Sequence, residues 1–518
     1  MTLLVASFSA DKVESVHVHA ERAWAGGAEA VEIRIDGFTG DVRTLAEYLR
    51  GHADRKWIVT CRGHDEGGHS RVPAESRLAI LGEATRGTNA CVDFEAAAWK
   101  EAGINKWGMD RGTNRPPGDM PALILSRHDL SGARPRADDI RAVPGEVDGA
   151  VGKLAYSPGH INETFAALDL MRGHGGRAAV AAMGEDGTWT RVLAKKLGSF
   201  ASYCALSRGS ETAPGQLTLA EMVQTYRWTD LDSSTRVFGV LGDPVAHSMG
   251  PVLFNAWFAA AGINAVYLPL RVGPGKESVS RFLDSCGERP WLDVGGFSVT
   301  RPHKPAARRW AGASADRAAS VIGAVNTLVF RGGRVSAFNT DCYAAIDSIT
   351  DALGCARREL GRMHVDILGT GGAARAVVAG LRELGSETTV YGRSLEKAAA
   401  LTGSFGCTSA PWETRLQRTG EIVINCTNLG QWPAVDDSPL AVGSLAGCKL
   451  VFDLVYNPLA TRLLEDAAAA GAVALGGLDM FIRQAAVQFE LWTSESPDVK
   501  LGRELVADRI VAQTRVSD

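Results

Sequence analysis

Residues 364–385 read HVDILGTGGAARAVVAGLRELG, and this stretch decides the fold of the second half of the chain. A short apolar run meets a glycine-rich turn, Gly369-Thr370-Gly371-Gly372, and an apolar pattern of helical period follows. Strand, glycine turn and helix in that order aim the N–H groups of a helix N-terminus at a point where a pyrophosphate can lie. The next run, TTVYGRS from Thr388, completes a βαβ unit. A dinucleotide fold that recognises a free ribose 2′-hydroxyl carries Asp or Glu at that strand end. Here Gly392-Arg393-Ser394 supplies a cation and a hydroxyl, which suit a 2′-phosphate, so NADP is the expected cofactor.

Outward from this unit, strands are expected at 236-RVFGVLG, 421-EIVINCT and 450-LVFDLV. They outline one domain at 235–350, to which C-terminal helices at 477–515 return, and a Rossmann-type dinucleotide domain at 360–475. The first 228 residues have a different rhythm. Eight apolar runs, 3-LLVASFS, 30-AVEIRID, 57-WIVTCR, 91-CVDFE, 121-PALILSRHD, 149-GAVGKLAY, 178-AAVAAMG and 199-SFASYCAL, alternate with helix-length segments. Eight such units fit a (β/α)8 barrel better than an open sheet. The expected architecture is α/β throughout, a barrel fused to a two-domain dehydrogenase-like unit, with the polar stretch 228-WTDLDSSTR read as a linker.

Bulk composition is that of an ordinary globular chain: 518 residues, 45% hydrophobic, 22% charged, formal net charge −4. No basic block suggests a nucleic-acid or membrane-surface partner, and no apolar run reaches spanning length. The nine cysteines are scattered singly, without a C-x-x-C pair, so no metal is expected and the simple reading is reduced thiols. With an N-terminus unlike a signal peptide, a cytoplasmic location is expected.

In a barrel of this type the chemistry gathers at the C-terminal ends of the strands. Those ends are polar here: Glu32, Arg34 and Asp36, then Arg62, then Ser126 to Asp129, with Lys153 late in GAVGKLAY. A lysine in an apolar strand would be desolvated and its amine freed as a nucleophile toward ketones. His128, at the end of the preceding strand, can shuttle a proton, and the arginines can hold an anion.

Taken together, 32-EIRID, 60-TCRGHDEGG, 126-SRHD, 149-GAVGKLA and 212-TAPGQ resemble the type I 3-dehydroquinate dehydratases across residues 1–225. The resemblance implies a Schiff base between Lys153 and 3-dehydroquinate, with His128 moving the protons that yield 3-dehydroshikimate. It further implies that Glu32, Arg34, Arg62 and Glu66 orient the substrate and the catalytic pair. Arg191 in 187-GTWTRVL would bind the carboxylate, with Gln216 on a closing loop and Thr212 where the family more often has serine.

In the second half, Lys304 of 296-GFSVTRPHK and Asp341 of 338-FNTD form a pair able to move a proton while hydride travels elsewhere, although such a pair also makes an ordinary surface salt bridge. With 242-GDPVAHSMGPVLFNAWF, 322-IGAVNT, 369-GTGGAARA, 425-NCTNLG, 453-DLVYNPLAT and 477-GLDMFIRQA, these segments resemble the shikimate dehydrogenases through residues 236–500. By that resemblance Lys304 and Asp341 are the catalytic dyad, and Ser248 and Tyr456 hold the substrate carboxylate. Thr300, Asn326 and Gln484 would meet ring hydroxyls, and Gly369, Gly371, Gly372, Ala373, Arg393, Ser394, Thr427 and Gly477 would meet the cofactor. The order of the two halves resembles the bifunctional fusions that convert 3-dehydroquinate to shikimate in consecutive steps.

Several positions depart from the family pattern. HSMGP replaces the usual HSxSP, so Gly250 lacks one carboxylate-binding hydroxyl; the expectation is either that it opens space beside the substrate, admitting quinate as a further substrate, or that it is neutral, with a water in place of the hydroxyl. Phe254 stands where histidine is usual, Ala337 and Ala344 flank the FNTD segment, and Asn428 and Gln431 lie near the nicotinamide segment. A catalytically inactive quinate-pathway regulator would lack one of Lys153, His128, Lys304 or Asp341, and all four are present. The sequence leaves oligomeric state open.

Overall fold

The computed structural model describes residues 2–101, 122–130, 149–273, 275 and 278–517. Pro121, the first residue of the fifth expected barrel strand, lies outside them. Strands β1 (Leu3–Ser9), β2 (Ala30–Arg34), β3 (Trp57–Thr60), β4 (Cys91–Glu95), β5 (Leu123–Asp129), β6 (Val151–Tyr156), β7 (Ala178–Ala182) and β8 (Ala201–Ala205) pair in parallel. Their order, β7-β6-β5-β4-β3-β2-β1-β8, is that of a barrel. Phe200 N–H, just ahead of β8, donates to Ala178 O of β7 at 2.8 Å and brings the two ends together.

Side chains alternate along a strand, so every second residue points into the barrel. Leu3, Val5, Ala30, Ile58, Cys91, Ile124, Val151, Ala179, Ala201 and Tyr203 form one buried apolar cluster, a plug near the N-terminal ends of the strands. Two residues further along, the same inward positions turn polar: Ser7, Glu32, Thr60, Asp93, Ser126 and Lys153, all buried. The barrel is apolar below and charged above.

The second region holds two more sheets. In the first, β9 (Arg236–Gly242) lies between β10 (Ala265–Arg271) and β11 (Val294–Val299), both parallel to it. The antiparallel β12 (Thr327–Arg331) and β13 (Arg334–Phe338) extend the β11 edge. In the other, β14 (His364–Leu368), β15 (Glu387–Gly392), β16 (Thr408–Pro411), β17 (Ile422–Asn425), β18 (Leu450–Asp453) and β19 (Val473–Gly476) are wholly parallel, in the order β16-β15-β14-β17-β18-β19. The order reverses at β14, where a doubly wound sheet opens its ligand crevice. The helix Gly477–Thr493 returns to the first of these sheets, where the Trp492 ring lies 5.2 Å from Phe238 and 5.1 Å from Phe254.

The stretch read as a linker is part of the packed structure. Trp228 is 1% exposed and its indole N–H donates to Glu29 Oε2, so a large aromatic anchors the passage between halves to the barrel. The halves share a core: Phe282 packs 5.4 Å from Phe165 and 5.6 Å from Trp189 of the barrel, and Arg289 pairs with Asp169 at 2.7 Å. Among the described residues no helix is long and apolar enough to cross a membrane.

Candidate active sites

In the barrel mouth Lys153 Nζ lies 2.9 Å from Asp93 Oδ2, 3.1 Å from Glu32 Oε1 and 3.8 Å above the Tyr203 ring. This corrects the apolar surroundings expected for the lysine: two carboxylates and an aromatic face form its pocket. Burial, the largest single effect, opposes the charge on Glu32, but the Lys153 and Arg34 charges and the Ser7 hydroxyl together hold the carboxyl below its ordinary range. Burial is likewise overcome at Asp93, between Arg62 and Lys153, which is held well below the usual carboxylate range. Arg62 donates to Asp93 Oδ1 at 2.6 Å and stands 3.6 Å from Glu95. Ser7 and Thr60 donate to the two oxygens of Glu32 at 2.5 and 2.9 Å.

Across the mouth, His128 Nδ1 and its own backbone N–H both meet Glu66 Oε2 at 2.9 Å. An ionised carboxylate only accepts, so Nδ1 carries the proton and Nε2 keeps a lone pair for the site. Burial holds His128 well below the ordinary imidazole range, and the Arg62 and Lys153 charges add to the effect. Burial pushes Glu66 up to about 7; Glu95 and Asp93 add to that, against the lowering effect of Arg62 and the His128 N–H. The pair therefore changes state in the neutral range. Below about pH 7 Glu66 is protonated and no longer holds His128 as a base. Dehydration kcat/KM is expected to fall with one-proton slope as pH drops through about 7. Glu66→Gln is expected to lower the rate and remove that inflection; an inflection that persists in this variant excludes Glu66 as its source.

Arg191 is buried, donates to Pro214 O at 3.1 Å, and leaves Nε without a partner. Burial lowers its guanidinium to about 10. A buried guanidinium with spare donors is equipped for an anion. Thr212 and Gln216 close on each other and on Ser7, whose hydroxyl lies 2.9 Å from that of Thr212. Arg34 is engaged with Asp36 at 2.8 Å. The sequence reading missed Asp93, Glu95 and Tyr203, although acids inside the apolar run CVDFE were the available signal.

The second site sits where the two sheets of the C-terminal region meet. Lys304 Nζ lies 2.5 Å from Asp341 Oδ2, each at the start of its helix. Asn326 Nδ2 donates to Asp341 Oδ1 at 2.8 Å and its Oδ1 accepts from Thr340 N, so Asn326 orients the dyad. Gln484 Oε1 is 3.5 Å from Thr340 Oγ1. Beside them runs a cavity of about 850 Å³, lined by Thr300, Lys304, Gly369, Gly371, Gly372, Ala373, Arg393, Ser394, Thr427 and Tyr456 among others. Burial raises the Tyr456 hydroxyl to about 12, and its ring stacks on Phe481 at 4.8 Å. Ser248 Oγ accepts from Gly250 N–H at 3.2 Å, leaving its own proton free to give.

Two expectations, those at Gly477 and Gly250, need correction. Gly477 lies under the strand end rather than on the cavity wall: a Cβ there would come 2.3 Å from Leu454 O, so the glycine serves close packing. Ser394 lines the cavity and also caps the helix Leu395–Phe405, its Oγ accepting from Lys397 N at 3.3 Å. The space expected beside Gly250 is filled, because a Cβ there would meet Tyr267 Cε1 at 2.7 Å. Lys397 and Trp412 also line the cavity and were not anticipated.

A type I 3-dehydroquinase family model matches residues 4–233, a shikimate dehydrogenase substrate-binding domain model 240–328, and a shikimate 5′-dehydrogenase C-terminal domain model 477–507. A shikimate dehydrogenase (NADP+) of Methanocella arvoryzae is 40% identical over 282 residues, 53% of this chain and 99% of that protein. The chain belongs to the type I 3-dehydroquinase and shikimate dehydrogenase families, fused in that order. The bifunctional 3-dehydroquinate dehydratase/shikimate dehydrogenase of Arabidopsis thaliana, a chloroplastic protein, is 28% identical over 514 residues, 95% of this chain and 82% of that one. A crystal structure of shikimate dehydrogenase in complex with NADP+ superposes on the dehydrogenase half with TM-score 0.50 and 32% identity, covering 54% of this chain and 97% of that one. The dehydroquinase half thus carries the Lys153 cluster, and the dehydrogenase half the Lys304–Asp341 pair.

Proposed function

We propose that the chain catalyses two consecutive steps, dehydration of 3-dehydroquinate to 3-dehydroshikimate in the barrel and NADPH-dependent reduction of 3-dehydroshikimate to shikimate in the dehydrogenase half. The observation that carries this reading is the presence of two complete, separate lysine-centred sites in one chain. Domain limits of 1–228, 235–350 with 477–515, and 360–475 belong to the same reading, supported by one sheet in each, with β19 reaching one residue past the last limit. Nine free cysteines accord with a cytoplasmic setting.

In the barrel, Glu32 and Asp93 are the groups nearest the Lys153 proton. The freed amine adds to the ketone carbon, and loss of water gives an imine on Nζ. His128 Nε2 takes the proton from the adjacent carbon and returns it to the departing C1 hydroxyl, which leaves as water. Water then releases 3-dehydroshikimate and restores the amine. Arg191, buried and short of acceptors, holds the substrate carboxylate.

The cleft beside Lys304 has the chemistry a phosphorylated dinucleotide needs. A glycine turn at Gly369–Gly372 opens the helix Gly372–Leu384, and Arg393 and Lys397 gather near a strand end that bears no acid. When bound, the cofactor supplies or accepts the hydride. Lys304 gives the proton to the developing alkoxide, Asp341 keeps the ammonium in place, and Asn326 fixes Asp341. Ser248 and Tyr456 face the carboxylate.

The test is to supply 3-dehydroquinate with NADPH or NADH and follow both the enone absorbance and nicotinamide loss. Shikimate is expected as product, with NADPH preferred. Arg393→Ala is expected to erode that preference roughly 10- to 150-fold, the equivalent of about 1.5–3 kcal/mol for a lost charge-assisted contact. Failure to form an enone, or a cofactor preference that Arg393→Ala leaves unchanged, would count against the dehydratase and the NADP assignments respectively.

A further inference from the structure

The absent side chain at position 250 and the phenylalanine at 254 are two departures from the family pattern, and both face one ring. An ideal Cβ on Gly250 would lie 2.7 Å from Tyr267 Cε1 and 3.2 Å from both Tyr267 Oη and Ser248 Oγ. Carbon atoms do not pack at 2.7 Å, so a side chain at 250 requires the ring to move. The ring is held from three directions. Its backbone N–H donates to Asn255 Oδ1 at 2.7 Å, and its carbonyl accepts from Asn255 Nδ2 at 3.0 Å. Its face stacks on Phe254 at 4.4 Å and 18°. Its hydroxyl donates to Ser298 Oγ at 2.7 Å.

The direction of that last bond is forced. Gln488 Nε2 donates to Asn326 O at 3.2 Å and to Thr327 Oγ1 at 3.0 Å, so Gln488 Oε1 must accept from Ser298, and Ser298 can only accept from Tyr267. Gln488 and Tyr267 are almost fully buried, which makes a broken link in this chain costly. Asn255, Phe254 and Gly250 share the helix Gly250–Ala260, so the helix and the ring form one locked unit.

We propose that Tyr267 is a specificity-determining residue of the dehydrogenase half. Its ring takes the volume of the missing side chain and closes the acid end of the pocket, beside Ser248, against a second substituent on the carboxylate-bearing carbon. This rests on the shikimate reading above and deepens it. The unsaturated carbon of shikimate carries the carboxylate alone and fits against the closed wall; the C1 hydroxyl of quinate does not.

The experiment compares wild type, Gly250→Ala, Tyr267→Val, their double variant and Tyr267→Phe. NADP+-dependent oxidation of shikimate and of quinate is measured together with melting temperature. Wild type is expected to prefer shikimate by about 100-fold or more in kcat/KM, a discrimination in the range of one misfitting group. Tyr267→Val is expected to narrow the ratio at least tenfold, whereas Tyr267→Phe, which keeps the ring, leaves it within about threefold. Gly250→Ala is expected to lower the melting temperature by about 5 °C or more, and by less than half as much in the Tyr267→Val background. A shikimate/quinate ratio unmoved by Tyr267→Val, efficient quinate oxidation by wild type, or Gly250→Ala behaving as wild type overturns the proposal. If wild type oxidises neither acid, the dehydrogenase reading itself is at fault, and the melting cycle still decides whether the ring and a side chain at 250 exclude each other.

Discussion

Lys153→Ala is expected to lower 3-dehydroquinate dehydration by on the order of 10⁴-fold or more, while reduction of 3-dehydroshikimate stays within about twofold. Among the described residues, the hydrogen-bond and ion-pair partners of Asp93 and Glu32 are Arg62, Ser7, Thr60, Ser126 and Lys153, and Lys153 is the one amine in that set. Removing Lys153 also leaves two buried carboxylates without their shared cation, a change that costs about 3–5 kcal/mol when a buried partner is lost. Lys153→Arg separates the two effects, because it keeps the charge but supplies no amine that can form an imine. Borohydride added with 3-dehydroquinate is expected to leave a reduced adduct on Lys153 in wild type and none in either variant, as read by peptide mass. Dehydration at wild-type rate in Lys153→Arg would end the imine mechanism.

Lys304→Met and Asp341→Asn are each expected to lower kcat for shikimate oxidation by about 10²- to 10⁴-fold, the usual range for a lost proton-transfer group, with dehydration unchanged. The two should not add. Lys304 and Asp341 touch at 2.5 Å and share one proton path, so the double variant is expected to be little worse than the poorer single one. Fully additive losses, or a loss confined to KM, would show that the pair binds rather than moves a proton. Asp341→Asn also tests Asn326, whose amide now points at a neutral partner.

The Gly369–Gly372 turn, the strand end at Arg393 and the polar run SRHD could be read locally. Each is a short segment whose chemistry is fixed by its nearest neighbours in the chain, and strand alternation told which residues point inward. The eight barrel runs were recognisable for the same reason. Asp93 was not, since its role comes from facing Lys153 across the barrel at 2.9 Å. That contact exists only once the strands between β4 and β6 have paired in register. Trp228 stands in a stretch of polar, linker-like composition, and its burial against Glu29 depends on a residue 199 positions away.

Composition, strand rhythm and motif order by themselves determined the two halves, the expectation of a dinucleotide cleft and most of the residues lining both mouths. Tertiary structure alone decided what surrounds those residues. It placed carboxylates where an apolar pocket was expected around Lys153, and it put a tyrosine ring into the volume left by Gly250. The physical reason is the same in both cases. A motif specifies which group is presented, whereas the charge and free volume around it are set by side chains from strands that only packing brings within van der Waals reach.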